Sequence, residues 1–327
     1  MRAIVFDKPG DESVLYTSEI EAPIMGPKDI RIRARATSVN RADLLQRQGM
    51  YPSPPGASEI IGLECAGDVI EVGSEVEGWK IGDRAMLILP GGGYAEEVVA
   101  HAGSALPVPD IYSDEEAGST CEVFLTAFLN IFMLGQIPEK GSVLVHGGGS
   151  GVGTAAISLG KEAGLKTIVT AGTEEKCTRC LAHGADVAIN YREEDFAKEV
   201  MDVTDGKGVD VVLDCIGGRY LEQNTKCLAS DGALVIIGLQ GGAKGEINLA
   251  RLLTKRLNVI GSTMRARSAD KKAVMVKAFL DRFGDALTAG RIRPIIQETF
   301  PIDQVGEGHR AMKEGKHFGK LALKAWD

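Results

Sequence analysis

Ser142-Val143-Leu144-Val145-His146-Gly147-Gly148-Gly149-Ser150-Gly151-Val152-Gly153 is the stretch on which the reading of this chain turns. A β-branched apolar run breaks into a glycine cluster, and an alanine-rich stretch follows. That order predicts a strand, a tight loop and a helix N-terminus. Such a loop sets backbone N–H groups and the positive end of a helix against an anion, which is what a dinucleotide pyrophosphate needs. Val152, Ala155, Ala156, Leu159 and Ala163 recur at helical spacing. Ser150 stands where a cap belongs and Gly164 where the helix would end. The strict G-x-G-x-x-G fingerprint is absent, because Ser150 follows Gly148 by two and Thr154 follows Gly149 by five. The physics asks only for small residues at the turn and at the helix–strand contact, and Gly151 and Gly153 supply the latter. The expected contacts of the pyrophosphate are Gly149, Ser150, Gly151 and Val152. A purely structural turn is the alternative, and the repeated βα texture that follows argues against it.

Working outward, two textures appear. Residues 1 to about 120 look β-rich: Ile30-Arg31-Ile32-Arg33-Ala34-Arg35-Ala36 alternates strictly, and Glu59 to Val72 reads as another strand. Pro52, Pro54 and Pro55 mark a loop, and Gly91-Gly92-Gly93 a turn. Short strands at such intervals suggest a barrel or sandwich. Ser113-Asp114-Glu115-Glu116 looks like a capping box opening a helical stretch that reaches Leu134, with Pro138 beyond its end. From Gly141 the strands Val143 to His146, Thr167 to Thr170, Val187 to Asn190, Val209 to Asp214, Ala233 to Gly238 and Leu257 to Ile260 alternate with helical patterns. Their near-continuous apolar character implies a parallel sheet covered on both faces. Phe300-Pro301-Ile302 and Leu321-Ala322-Leu323 are short strands able to rejoin the first texture.

The chain has 327 residues and a formal net charge of −8, which argues against nonspecific nucleic-acid binding. No apolar run approaches the ~18 residues of a membrane span. Met1-Arg2-Ala3-Ile4-Val5-Phe6-Asp7 lacks the apolar core of a signal peptide, so a soluble cytoplasmic protein with no membrane partner is the expectation. Six cysteines are scattered, and the close pair Cys177 and Cys180 reads as two small residues on one helix face. A zinc site would need a second ligand pair.

Coenzyme type is read after the second strand of the βα region. It ends Thr170-Ala171-Gly172-Thr173 with no carboxylate for the ribose hydroxyls, and Glu174 and Glu175 fall in a helix first turn. Gly172, Thr173, Lys176 and Tyr191 would together hold a 2′-phosphate, giving NADP(H) as the expected cofactor. A solvated helix lysine is the alternative for Lys176.

These residues resemble the medium-chain dehydrogenase/reductase superfamily, and most of all its zinc-independent quinone oxidoreductase (zeta-crystallin-like) branch. The resemblance covers essentially the whole length. It is carried by Val39-Asn40-Arg41-Ala42-Asp43-Leu44-Leu45-Gln46-Arg47-Gln48-Gly49, Ile61-Gly62-Leu63-Glu64-Cys65-Ala66-Gly67, Ile81-Gly82-Asp83-Arg84, the glycine loop, Thr170 to Lys176, Ile189-Asn190-Tyr191, Asp214-Cys215-Ile216-Gly217-Gly218 and Phe318-Gly319-Lys320. It implies an α/β chain with a GroES-like β-barrel domain over 1–122 and 266–327, and a Rossmann doubly wound parallel-sheet domain over 123–265. The nicotinamide would lie near the carboxyl ends of the Rossmann strands, touching Thr126, Gly238, Leu239 and Gln240, with Phe318 and Lys320 among the cofactor contacts. A homodimer paired through the last Rossmann strand, near Leu257 to Ser262, is also implied.

Where zinc-dependent relatives place a cysteine and a histidine, this chain has Asn40 and Leu63, leaving Asp43 and Glu64. Two carboxylates without thiolate or imidazole make a poor zinc site, so no metal is expected. His146 is read as a strand-end histidine bonded to backbone. Without a Lewis acid the acceptor must delocalise incoming charge itself, as quinones and conjugated enones do. Asn40, Asp43 and Tyr51 are the expected catalytic residues. Asn40 either donates to the acceptor or caps a helix. Tyr51 either stacks and donates a proton or packs on the proline loop. Thr126 either meets the nicotinamide or bonds back to a helix carbonyl. Arg265 and Arg267 either shape the mouth of the cleft or form a solvated face. NADPH-dependent quinone reduction is the leading expectation. An enone double-bond reductase and a non-catalytic NADPH-binding protein are the rivals.

Overall fold

A computed structural model of the chain describes residues 1–326. It divides into two compact units, Met1–Leu125 with the segment beginning at Met264, and Thr126–Thr263.

The first unit opens with an antiparallel pair, β1 (Arg2–Val5) and β2 (Tyr16–Glu19). Its main sheet is built on β3 (Asp29–Val39), which turns through Asn40 into α1 (Arg41–Arg47). Then come β4 (Glu64–Val72), β5 (Arg84–Ile88), β6 (Glu97–His101) and β7 (Ala105–Pro107). Strand β3 pairs with both β4 and β6, β4 with β5, and β5 with β7, all antiparallel. The alternation in β3 buries Ile30, Ile32, Ala34 and Ala36 on one face, where Ile30 and Ile32 pack with Val69, Leu87 and Val98. The strand expected from Glu59 starts only at Glu64.

The helical stretch expected from Ser113 to Leu134 forms in three pieces: α2 (Asp114–Ala117), α3 (Cys121–Phe128) and a π-helical stretch, Leu129–Leu134. The Ser113–Glu116 capping box does form. The break has a tertiary cause. A Cβ on Gly118 would lie 2.6 Å from the Ala36 carbonyl carbon, so the chain is pressed onto β3 where a helical residue would need room. Asp114–Leu134 is also long and apolar enough to cross a membrane, contrary to the expectation from apolar runs, and most of it is buried inside the molecule.

The second unit alternates β8 (Ser142–His146), α4 (Gly151–Glu162), β9 (Lys166–Ala171), α5 (Glu174–His183), β10 (Val187–Asn190), α6 (Phe196–Val203), β11 (Val209–Asp214), α7 (Leu221–Cys227), β12 (Leu228–Ile236), α8 (Leu249–Lys255) and β13 (Asn258–Gly261). The sheet order is β10-β9-β8-β11-β12-β13, with every pair parallel. The order reverses between β8 and β11, and ligands of doubly wound sheets bind at the strand ends beside such a switch point.

The chain then adds α9 (Ala269–Thr288), β14 (Ile296–Pro301), α10 (Val305–Glu314) and β15 (Lys320–Lys324) to the first unit. Strand β15 pairs with β3, Leu321 opposite Val39 and Lys324 opposite Ala36. This pairing carries Lys320 to the base of α1.

Candidate active site

The glycine loop has the geometry of an anion cradle. Gly147 turns the chain with φ +76°, and Gly148 N–H donates to Thr170 O at 2.8 Å. Ser150 Oγ accepts from Gly153 N–H at 3.0 Å and caps α4. Among the described residues, the N–H groups of Gly149, Gly151 and Val152 find no acceptor. A Cβ on Gly148 would lie 2.7 Å from Val169 Cβ, and one on Gly153 2.3 Å from Gly147 O. Small residues are thus required where helix, loop and strand meet, and a cluster of free donors remains for a phosphate. Below the loop, His146 Nδ1 meets Thr170 Oγ1 (3.0 Å) and Nε2 meets Asn224 Oδ1 (2.7 Å), so its partners are side chains and not the expected backbone. Burial pushes its pKa down to about 4, leaving a neutral ring against Phe196 and Tyr220.

At the end of β9, a Cβ on Gly172 would lie 2.6 Å from the Tyr191 hydroxyl. Glycine there lets the phenol lie against the turn. Thr173 Oγ1 accepts from Lys176 N–H and caps α5. Burial lowers the pKa of the Lys176 ammonium, and Arg179 and Arg192 lie within electrostatic reach of it. Arg192 was not singled out in the sequence, although a base directly after Tyr191 was the available signal. Beyond β12, Gln240 N–H donates to Cys215 O at 3.2 Å and Leu239 is exposed. The Thr126 carbonyl accepts from Asn130 Nδ2 at 2.7 Å, while its hydroxyl has no partner among the described residues. The back-bond considered for Thr126 is therefore not what forms.

The first unit holds a buried polar knot. Lys320 Nζ donates to Asn40 Oδ1 (2.6 Å), Glu64 Oε1 (2.9 Å) and Val39 O (3.3 Å). Glu64 Oε1 also accepts from Ser38 Oγ (2.7 Å) and Asn40 Nδ2 (3.1 Å), and its Oε2 from Glu122 N–H (2.9 Å). Asn40 therefore uses its amide inside the knot. The helix start is secured by Asp43 Oδ2, which accepts Asn40 N–H at 2.7 Å. Tyr94 OH reaches the same oxygen (3.2 Å) and His309 Nε2 (3.3 Å), and His309 Nδ1 meets Arg47 Nη1 (3.0 Å).

Burial corrects three expectations here. Asp43 has no exposed surface and holds Asn40 in place, so it does not meet a ligand. Phe318 and Lys320, expected on the cofactor, are each 2% exposed and sealed inside this unit. Arg265 also departs from both of its readings. It is a buried brace, donating to Pro90 O (2.6 Å), Tyr51 O (3.0 Å) and Gln46 Oε1 (2.7 Å), with its guanidinium 5.1 Å from the Tyr51 ring centroid. Tyr51 keeps a hydroxyl with no partner among the described residues, and burial raises its pKa. Sequence reasoning missed Glu122 and Lys272 altogether, since neither stands in a recognisable spacing.

Residues 26–110 match the alcohol dehydrogenase GroES-like domain and residues 151–280 the zinc-binding dehydrogenase family. A solved NAD-dependent alcohol dehydrogenase is 32% identical, with a TM-score of 0.85 over 99% of both chains. The chain belongs to the medium-chain dehydrogenase/reductase superfamily. Its place is in the quinone oxidoreductase-like branch of that superfamily. The mouse quinone oxidoreductase is 28% identical over 99% of this chain and 97% of that one. An Escherichia coli quinone oxidoreductase solved in complex with NADPH is 28% identical, with a TM-score of 0.86 over 99% of this chain and 100% of that one. A phenolphthiocerol/phthiocerol polyketide synthase subunit of Mycobacterium tuberculosis is 28% identical over 97% of this chain, which spans only 14% of that protein's length.

The donor set of this dehydrogenase/reductase does not fit the zinc of the family's name. Asn40 and Glu64 are already committed to an ammonium, and a divalent ion beside Lys320 would meet like charge. The loop after β8 does fit a dinucleotide, by its free N–H groups.

Proposed function

We propose that this protein reduces quinones with NADPH, by hydride transfer and without a catalytic metal. The observation that carries the reading is the open N–H cluster of Gly149, Gly151 and Val152 at the head of α4, joined to a β9 end that lacks a carboxylate. The first feature suits a pyrophosphate, and the second favours a 2′-phosphate over free ribose hydroxyls. The coenzyme supplies the hydride when bound. Gly149 to Val152 and the end of α4 hold its diphosphate, while Tyr191, Thr173 and Lys176 surround the phosphorylated ribose. Thr126, with its free hydroxyl, and the backbone of Gly238 to Gln240 orient the nicotinamide. On the acceptor side, Tyr51 offers a hydroxyl and a ring held by Arg265. The knot of Lys320, Glu64 and Asn40 supports that side without touching it. The likeness to quinone oxidoreductases supports the choice of acceptor. We also propose that the protein works as a homodimer paired along β13.

Stopped-flow mixing with NADPH and 1,4-benzoquinone tests the reading. NADPH should be consumed well above the protein-free rate, and faster than NADH. Consumption no faster than background overturns it. A larger specificity constant for an α,β-unsaturated aldehyde than for the quinone would move the assignment to double-bond reduction.

A further inference from the structure

Helix α1 ends at Arg47 and β4 begins at Glu64, and the irregular loop between them carries Tyr51. Pro52, Pro54 and Pro55 narrow the shapes open to this loop, and side-chain bonds select one of them. Those bonds meet at Ser53. Its Oγ accepts from Arg265 Nη2 at 3.0 Å and from Gln46 Nε2 at 3.2 Å, and its O–H donates to Ser58 O at 2.9 Å. A hydroxyl offers one donor and two acceptor sites, so Ser53 is saturated.

Its two partners are buried and bonded to each other. Gln46 Oε1 accepts from Arg265 Nη2 at 2.7 Å, and Gln46 Nε2 also donates to Glu59 O at 2.8 Å. Arg265 adds bonds to Tyr51 O at 3.0 Å and Pro90 O at 2.6 Å. One clasp therefore ties both ends of the loop, at Tyr51 and at Glu59, to α1 and to the turn that starts at Pro90. That turn closes on the loop from its own side. Gly92 N–H donates to Ile60 O at 2.8 Å, and a Cβ on Gly91 would lie 2.6 Å from Ser58 O. The Tyr51 ring is held over the Arg265 guanidinium at 5.1 Å, while its hydroxyl has no partner among the described residues. The phenol is thus aimed by contacts that leave its own hydrogen bonds unused.

We propose that Ser53 is a positioning residue for the acceptor, acting through Tyr51: with Gln46 and Arg265 it fixes the loop, and so orders the phenol before the quinone arrives. The inference rests on the quinone-reductase reading. Ordering a binding group in advance removes that cost from the binding step. A rigid, flat quinone cannot follow a ring that moves, so a loosened clasp weakens its capture. Removing the Ser53 hydroxyl loosens the clasp without stranding a buried donor. Arg265 Nη2 keeps Gln46 Oε1, Gln46 Nε2 keeps Glu59 O, and Ser58 is exposed, so water can bond its carbonyl. The Ser53→Ala chain should therefore fold and melt close to wild type.

The test is steady-state kinetics with NADPH and 1,4-benzoquinone in wild type, Ser53→Ala, Ser53→Thr, Tyr51→Ala and the Tyr51→Ala/Ser53→Ala double variant, with NADPH affinity measured alongside by fluorescence titration. Ser53→Ala should lose about tenfold in kcat/KM, mainly as a rise in KM for the quinone, with NADPH affinity unchanged. Ser53→Thr keeps the hydroxyl and should restore most of the loss. The double variant should lose no more than Tyr51→Ala alone, because both changes remove one interaction. A wild-type KM in Ser53→Ala or in Tyr51→Ala overturns the proposal. So do additive losses in the double variant, a threonine variant no better than alanine, or an equal loss of NADPH affinity, which marks a general weakening of the fold. Should Ser53→Ala fail to fold, Gly91→Ala presses on the same loop from the other side, and a wild-type KM there overturns the proposal. A wild type that consumes no NADPH refutes the parent reading instead, and that result is read before any variant is compared.

Discussion

Lys320 and Glu64 stand 256 positions apart in sequence and form an ion pair at 2.9 Å with side chains 2% and 1% exposed. Burying two charges is costly, and the pair holds only because Asn40, Ser38 and two backbone groups satisfy the remaining donors and acceptors. Removing one partner strands the other. Lys320→Met and Glu64→Leu should therefore each cost about 3–5 kcal/mol in urea unfolding, while the double variant should cost far less than their sum. Additive losses would show that the two side chains do not depend on each other. Half of this knot was legible in the sequence. Asn40 and Asp43 have the spacing of a helix start, and Glu64 stands in a motif of the family. Lys320 was misread as a cofactor contact because its motif gives no hint of burial. Only the pairing of β15 with β3 brings it under Asn40. Glu122 was invisible for a similar reason: an acid in a helix first turn looks like an ordinary dipole-favouring surface residue.

Elements that fold by local rules were the legible ones. Strand β8, its loop and α4 follow from an apolar run, a glycine cluster, a cap and helical spacing within about 25 residues. The segment from Ser113 to Leu134 reads as helical, and it is; its interruption was not legible, because it lies where Gly118 meets the backbone of β3, which no local pattern records. The same distinction predicts two different outcomes at the loop. Ser150→Ala removes one cap and should cost about 1 kcal/mol of stability, with a modest loss of NADPH affinity. Gly153→Ala places a methyl group 2.3 Å from a backbone oxygen, so the loop itself must move. NADPH affinity should then fall by well over tenfold, and the melting temperature should drop further than for Ser150→Ala. Thermal melts with and without NADPH separate the two variants. Equal effects would mean that the close approach of α4 to the loop does not matter for binding.

At the scale of the whole molecule, the two textures of the sequence correspond to two units, and the late strands Ile296–Pro301 and Lys320–Lys324 do return to the first sheet. The proposed pairing with a second copy comes from resemblance, since a strand does not announce in its own residues whether its outer edge is covered. The fold supplies the physical argument. Strand β13 ends the parallel sheet with one side unpaired, and Val259 on it is 41% exposed. Open edges invite pairing unless charge or proline blocks them, and Asn258-Val259-Ile260-Gly261 contains neither. On the preceding α8, Leu249 and Leu253 lie one turn apart and stand 68% and 78% exposed, an apolar surface that water would leave costly in a lone chain. Light scattering on a sizing column should therefore give twice the chain mass. Val259→Lys puts a buried charge into the proposed joint and should shift the mass to that of one chain, while NADPH affinity, which depends on the β8 and β9 ends, stays as it was. A wild type that elutes as a single chain, or a lysine variant that stays paired, removes β13 as the joint.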